Sequence, residues 1–179
     1  MLGAMRLLLV RHAIAVERAA WALRGRPEGD RPLTDTGRAR FRKVAAGLQR
    51  EVAALDRILV GPLRRAVETA ALLGAAYGKL APDVRDELAP GAAAVTSPAA
   101  LGEWLATAVD AESAVAIALV GQEPQLSLLA GWLLTGEPRS LFDLRKGGAC
   151  LLELTGPPSP GTARLLWLLE PRQARRLAR

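Results

Sequence analysis

The chain has 179 residues, half of them apolar, which suits one domain with its own core and excludes a disordered polymer. One cysteine, Cys150, excludes an internal disulfide, and with one histidine, His12, no Cys/His zinc site can be assembled. The net charge of +6 invites a nucleic-acid reading, but the arginines are scattered and only four Trp, two Phe and one Tyr could stack on bases, so nucleic acid is not expected as the partner.

The N-terminal Met1–Met5 is too short and uncharged for a secretory leader, and no apolar run approaches the roughly 20 residues of a membrane span. A cytoplasmic protein without a membrane partner is therefore expected. Arg6–Val10 is the first strand candidate, an uninterrupted apolar run of the kind buried on both faces of a sheet. It ends in Leu9-Val10-Arg11-His12-Ala13, where the sole imidazole stands beside a cation. Thr34-Asp-Thr-Gly37 offers an N-cap for a helix with Phe41, Val44, Ala45 and Leu48 on its apolar stripe. Arg57–Val60 is a second strand, and Leu63, Ala66, Val67 and Ala70 mark the helix after it. Leu101, Trp104, Leu105 and Ala108 mark another, Ala114–Val120 a third strand, and Leu126, Leu129, Ala130 and Leu133 the next helix. Pro62 and Pro124 stand where a first helical turn tolerates proline. Cys150–Leu154 and Ala163–Leu169 flank Pro157-Pro-Ser-Pro-Gly161 and predict a hairpin. The core spans about 6–170, and the basic segment 171–179 reads as a solvated tail. Trp21 either lines the mouth of a site or packs on its surface loop.

Strands alternating with amphipathic helices predict an α/β fold, a three-layer sandwich with a mostly parallel central sheet and helices on both faces. In such sheets ligands bind beyond the carboxyl ends of the strands. Three junctions should therefore converge: Arg11-His12, Gly61-Pro-Leu-Arg64-Arg65 and Gly121-Gln122-Glu123-Pro124. Arg31, just before the first long helix, joins them. A lone histidine is commonly structural, but one among arginines suits a dianionic phosphoryl group, because the guanidinium fork pairs with phosphate oxygens and keeps its charge. A neutral imidazole in that setting can attack phosphorus and form a covalent phosphohistidine. Its second ring nitrogen then needs an acceptor, such as a backbone carbonyl, to fix the tautomer. Arg64 reads as a solvated helix residue, and Cys150 as inert packing.

At these residues the chain resembles the histidine phosphatase superfamily, with its phosphoglycerate mutase-like fold. The similarity is closest to bacterial phosphohistidine phosphatases of the SixA type. It rests on Arg11-His12-Ala13, on Arg31-Pro-Leu-Thr-x-x-Gly37, on Gly61-Pro-Leu-Arg-Arg-Ala-Val-Glu-Thr69 and on the segment at Gln122, in family order from Arg6 to about Leu154. The resemblance implies a phosphoric monoester hydrolase that needs no cofactor or metal. Its substrate would be a phosphorylated protein or a small phosphoester, and it would bind inorganic phosphate. It implies His12 as nucleophile and Arg11, Arg31 and Arg65 as phosphoryl ligands. A glutamate after the second helix is the family's proton donor, which points to Glu87, with Glu123 as the alternative. The small size implies a flat, open site suited to a protein-borne phosphoryl group.

The chain departs from the family pattern twice. Gly61 stands where the family has serine, and Gln122 where it has a second catalytic histidine. An amide donates a hydrogen bond to a phosphoryl oxygen but carries no charge and transfers no proton. By analogy with loss of an oxyanion donor, turnover should fall by about 10²–10³ while binding survives. A phosphate or phosphopeptide binding module with little turnover is therefore the second reading.

Overall fold

The computed structural model describes residues 5–109 and 116–178. Six strands form one sheet in the order β3-β2-β4-β1-β5-β6. They are β1 (Met5–Arg11), β2 (Arg57–Val60), β3 (Asp83–Val84), β4 (Ala116–Gly121), β5 (Ala149–Leu154) and β6 (Ala163–Leu169). Pairings β2·β3, β2·β4 and β1·β4 are parallel, whereas β5 runs antiparallel to both β1 and β6. The sheet is thus mixed, with a parallel half that carries the strand-to-helix junctions and a hairpin half closed by the Pro157–Gly161 loop. Ala114 and Val115, expected to begin the third strand, lie outside the described residues.

The apolar runs explain why the middle strands are covered on both faces. Leu7 and Leu9 of β1 enter one core layer, while Leu8 and Val10 enter the other. On the Leu8 side pack α2 (Asp35–Glu51), α3 (Arg64–Ala76) and α6 (Pro171–Leu177), through Phe41, Val44, Leu48, Leu73 and Ala174. On the Leu7 side pack α4 (Pro98–Ala108) and α5 (Gln125–Thr135), through Leu101, Leu105, Leu126 and Leu133. Each such fully buried large apolar side chain contributes about 1.5–3 kcal/mol. The Thr34 Oγ1 accepts from the Gly37 amide at 2.9 Å and caps α2, as the sequence predicts.

Three features differ from the sequence expectations. Pro62 and Pro124 precede their helices instead of occupying the first turn: α3 is capped at Leu63, and Pro124, after a cis peptide, is itself the cap of α5. The basic segment after Glu170 is helix α6, not a solvated tail. Ala174 is buried against α2, and Gly47 leaves the space there, since a side-chain carbon at Gly47 would lie 1.9 Å from the Ala174 carbonyl oxygen. A stretch with only one apolar face residue gives no periodic signal, so burial of Ala174 was hidden by the arginines around it. Finally, the stretch between α3 and α4, in which the sequence marked no element, holds β3 and single turns at Asp86–Leu88 and Ala93–Val95, while α1 (Arg18–Ala22) precedes the turn at Glu28–Asp30.

Candidate active site

Strand register brings the site together. Arg11 pairs with Gly121 and Val60 with Val120, so the residues that follow, His12, Gly61 and Gln122, emerge side by side at one end of the sheet. The His12 amide donates to the Gly121 carbonyl at 2.9 Å, which locks the two junctions to each other. The next amide, of Ala13, donates to Thr69 Oγ1 at 3.0 Å, and that hydroxyl donates to the Arg65 carbonyl at 2.7 Å. Thr69 therefore ties the His12 turn to the first turns of α3.

The His12 ring is 5% exposed, and its Nδ1 lies 2.7 Å from the Ala13 carbonyl oxygen. A carbonyl only accepts, so Nδ1 carries the hydrogen and Nε2 keeps its lone pair. Burial lowers the ring pKa, and the nearby Arg65, Arg11 and Arg31 lower it further, to about 4 against the opposing Ala13 bond. The imidazole is neutral at neutral pH, the form required of a nucleophile.

Three arginines surround it, and each is braced by the fold. Arg11 Nη1 donates to the Leu144 carbonyl at 2.6 Å. Arg31, buried despite its charge, gives Nε and Nη2 to the Glu28 carboxylate at 2.9–3.1 Å and Nη1 to the Val16 carbonyl at 2.7 Å. That pairing holds Glu28 below the usual carboxylate range. Arg65 is 3% exposed, donates from Nη2 to Gln122 Oε1 at 2.9 Å and lies 3.4 Å from Glu28. The Nε atoms of both Arg11 and Arg65 are buried donors with no acceptor. Arg64, by contrast, points outward and pairs with Glu68 at 2.8 Å, the solvated helix residue expected.

Gln122 is oriented by chemistry. Arginine only donates, so the amide oxygen faces Arg65 and the NH₂ end is the one left to meet a ligand. Glu123 accepts from the Leu144 amide at 2.8 Å and from Ser127 at 3.2 Å, so its oxygens serve the start of α5 and the Leu144 backbone that Arg11 also grips. Glu87 is exposed on the turn Asp86–Leu88 and borders neither cavity at His12. The structure thus brings His12, Arg11, Arg31, Arg65 and Gln122 together and leaves Glu87 apart.

Two cavities meet at His12 and Gln122. One, about 610 Å³ with its open mouth, is lined by Arg11, Arg18, Arg31, Arg65 and Lys146 together with Glu17 and Glu123. The other, about 480 Å³ on the same basis, is walled by apolar side chains. The site is therefore not the flat surface expected, because Leu88 and Val95 fold their turns over the strand ends to bury themselves.

Sequence reasoning did not single out Glu28, Thr69, Arg18, Glu17 or Lys146. Glu28 stands three residues before Arg31, a spacing that signals an ion pair, and Thr69 stands four after Arg65, within reach of its carbonyl. Trp21 proves to pack beneath this loop: it is buried and donates from Nε1 to the Pro27 carbonyl at 2.9 Å, next to the turn that presents Glu28.

Residues 7–90 match the model of the histidine phosphatase superfamily, branch 1. An uncharacterized Picosynechococcus protein is 38% identical over 144 residues, spanning 80% of this chain and 82% of the relative. The chain belongs to the histidine phosphatase superfamily, a class of phosphatases. Its fold matches that of the protein histidine phosphatase SixA, solved with tungstate, at a TM-score of 0.75 and 21% identity, covering 94% of this chain and 98% of that one. The α-ribazole phosphatase of Shigella flexneri matches at 0.69 and 19% identity, covering 93% and 97%. Among the described residues no helix is long and apolar enough to cross a membrane.

Proposed function

We propose that this phosphatase acts through a covalent phospho-His12 intermediate, on phosphohistidine in a protein or on a small phosphate ester. The Nε2 lone pair attacks phosphorus, the leaving group departs with the bonding electrons and takes up a proton, and water then hydrolyses the N–P bond to release phosphate and restore the imidazole. Arg11, Arg31, Arg65 and the Gln122 amide would hold the phosphoryl oxygens as charge spreads over them. The observation that carries this reading is a neutral, tautomer-fixed imidazole beside two buried guanidinium Nε donors without acceptors. A buried unpaired donor costs about 1–3 kcal/mol, and an anion in the cavity that both arginines line would satisfy it. Glu87, the family's candidate proton donor, would serve only a leaving group that reaches the exposed turn Asp86–Leu88.

The test is to mix the protein with a generic phosphoester, quench under alkaline conditions that preserve phosphohistidine, and locate the adduct by mass spectrometry. A phosphoryl group on His12, absent in His12→Asn, is the expected result. No adduct and no phosphate release, from this chain and from Gln122→His, would overturn the enzymatic reading. One feature favours the second reading of a binding module: Gln122 spends its acceptor on Arg65 and has no charge to lend the transition state. Phosphate binding with turnover only in Gln122→His would select it.

A further inference from the structure

The two cavities differ in chemistry but share a wall, and the shared residues are the nucleophile and Gln122. Displacement at phosphorus runs in line, so a phosphoryl group seated among the arginines points its fourth substituent, the leaving group, away from the attacking Nε2 and out of the cage. The second cavity adjoins the cage and supplies apolar surface, with Leu63, Leu88, Val95, Leu101 and Leu126 in its lining. Its one further polar side chain is Gln125, whose Oε1 is buried with no hydrogen-bond partner. Gly61 sets the depth of this space. A side-chain carbon there would lie 2.6 Å from the Leu88 carbonyl oxygen, so only glycine lets the Leu88 turn settle on the end of β2.

Resting on the phosphatase reading above, we propose that the apolar cavity is the leaving-group subsite, and that the substrates are phosphate monoesters of compact apolar alcohols. Polyol and sugar phosphates would leave their hydroxyls unpaired against the leucines, at a cost in binding for each buried group.

The experiment uses phosphonates, which bind without turning over, so it does not depend on how active the chain is with Gln122. Calorimetry would compare inorganic phosphate with methyl-, ethyl-, propyl- and butylphosphonate and with 3-hydroxypropylphosphonate. Each buried methylene should tighten binding about fourfold, giving roughly 60-fold from methyl to butyl. The hydroxypropyl compound, nearly the shape of butyl, should fall back towards methyl. Leu88→Asn and Val95→Asn, both on half-buried rim positions, should flatten the climb several-fold and leave the affinity for inorganic phosphate within about twofold. Inorganic phosphate that binds while the alkyl series stays flat would overturn the subsite and leave the phosphatase reading standing. Failure of inorganic phosphate and every phosphonate to bind would overturn both.

Discussion

Replacing Gln122 by histidine tests the site at the point where this chain departs most from its family. In the native arrangement the amide oxygen accepts from Arg65 Nη2 at 2.9 Å, so Gln122 holds that guanidinium without adding charge to a cavity already lined by Arg11, Arg31 and Arg65. A histidine there would be half-buried and would face the arginines that also help lower His12. In the free protein it would therefore be neutral, and an arriving phosphoryl dianion would draw a proton onto it. The variant should then gain a charged donor that strengthens as the transition state forms, worth about 2.7–4 kcal/mol or 10²–10³ in kcat. Losing the bond to Arg65 should cost about 1–3 kcal/mol of folding stability. Initial rates on an aryl phosphate, with urea unfolding on the same samples, read both quantities. The activity should also fall at high pH, where the new imidazole no longer protonates on binding. If Gln122→His folds, binds phosphate as well as the parent and turns over no faster, the assignment of position 122 to the transition state is wrong.

Other perturbations probe the braces around His12. His12 is buried neutral with a pKa near 4, while the unfolded chain carries an ordinary imidazole, so the unfolded state binds more protons between about pH 4 and 6.5. Stability should be flat above that window and fall on acidification through it by up to about 3 kcal/mol, relative to His12→Asn, in urea midpoints measured against pH. An identical acid slope in the two proteins would contradict the buried neutral ring. Thr69→Val removes the acceptor of the Ala13 amide and the donor to the Arg65 carbonyl, and should cost about 1–3 kcal/mol and slow turnover with little change in fold. A midpoint unchanged by this substitution would remove Thr69 from the site's supports. Gly61→Ser, which restores the family residue, must push the Leu88 turn away from the 2.6 Å contact, so stability should drop by about 1–3 kcal/mol and the preference for butyl over methyl should shrink. Unaltered stability together with an unaltered preference would refute the close fit.

The inner strands were legible because they are buried on both faces: Leu7–Val10 and Arg57–Val60 lack polar alternation, and that pattern follows from coverage by helices on each side. The convergence of Arg11-His12, Arg65 and Gln122 was legible from the rule that ligands bind at the carboxyl ends of parallel strands. Their actual contacts were not, because they depend on register. A shift of one residue between β1 and β4 would separate His12 from Gln122, and nothing local in either strand fixes that pairing. Glu28 escaped because its role is set by three arginines, of which Arg18 and Arg65 reach it from other elements. The cover over the apolar cavity escaped for another reason: Leu88 and Val95 are isolated apolar residues in a stretch without period, and an isolated apolar residue carries no signal of what it will bury against. The same absence of period made α6 read as a tail.

The two departures from the family pattern are not independent of each other. Gly61 and Gln122 both border the apolar cavity beside His12, whereas Arg11, Arg31 and Arg65, the cationic positions of the pattern, are all retained. Serine to glycine removes a hydroxyl from that wall and admits the Leu88 turn, and histidine to glutamine removes a group that would be charged there with a dianion bound. Each change lowers the polarity of the space beside His12 and leaves the arginine cage as it was. Had the chain merely decayed from an enzyme into an inert relative, the braces on the cage would be free to drift as well. Instead Glu28, Thr69 and the Leu144 backbone still hold the buried Arg31 and Arg65 and the half-buried Arg11, or their carbonyls, in place, and two guanidinium Nε donors are left without acceptors that a bound anion would satisfy. A retained cage and an altered neighbouring wall are what a change of leaving group requires.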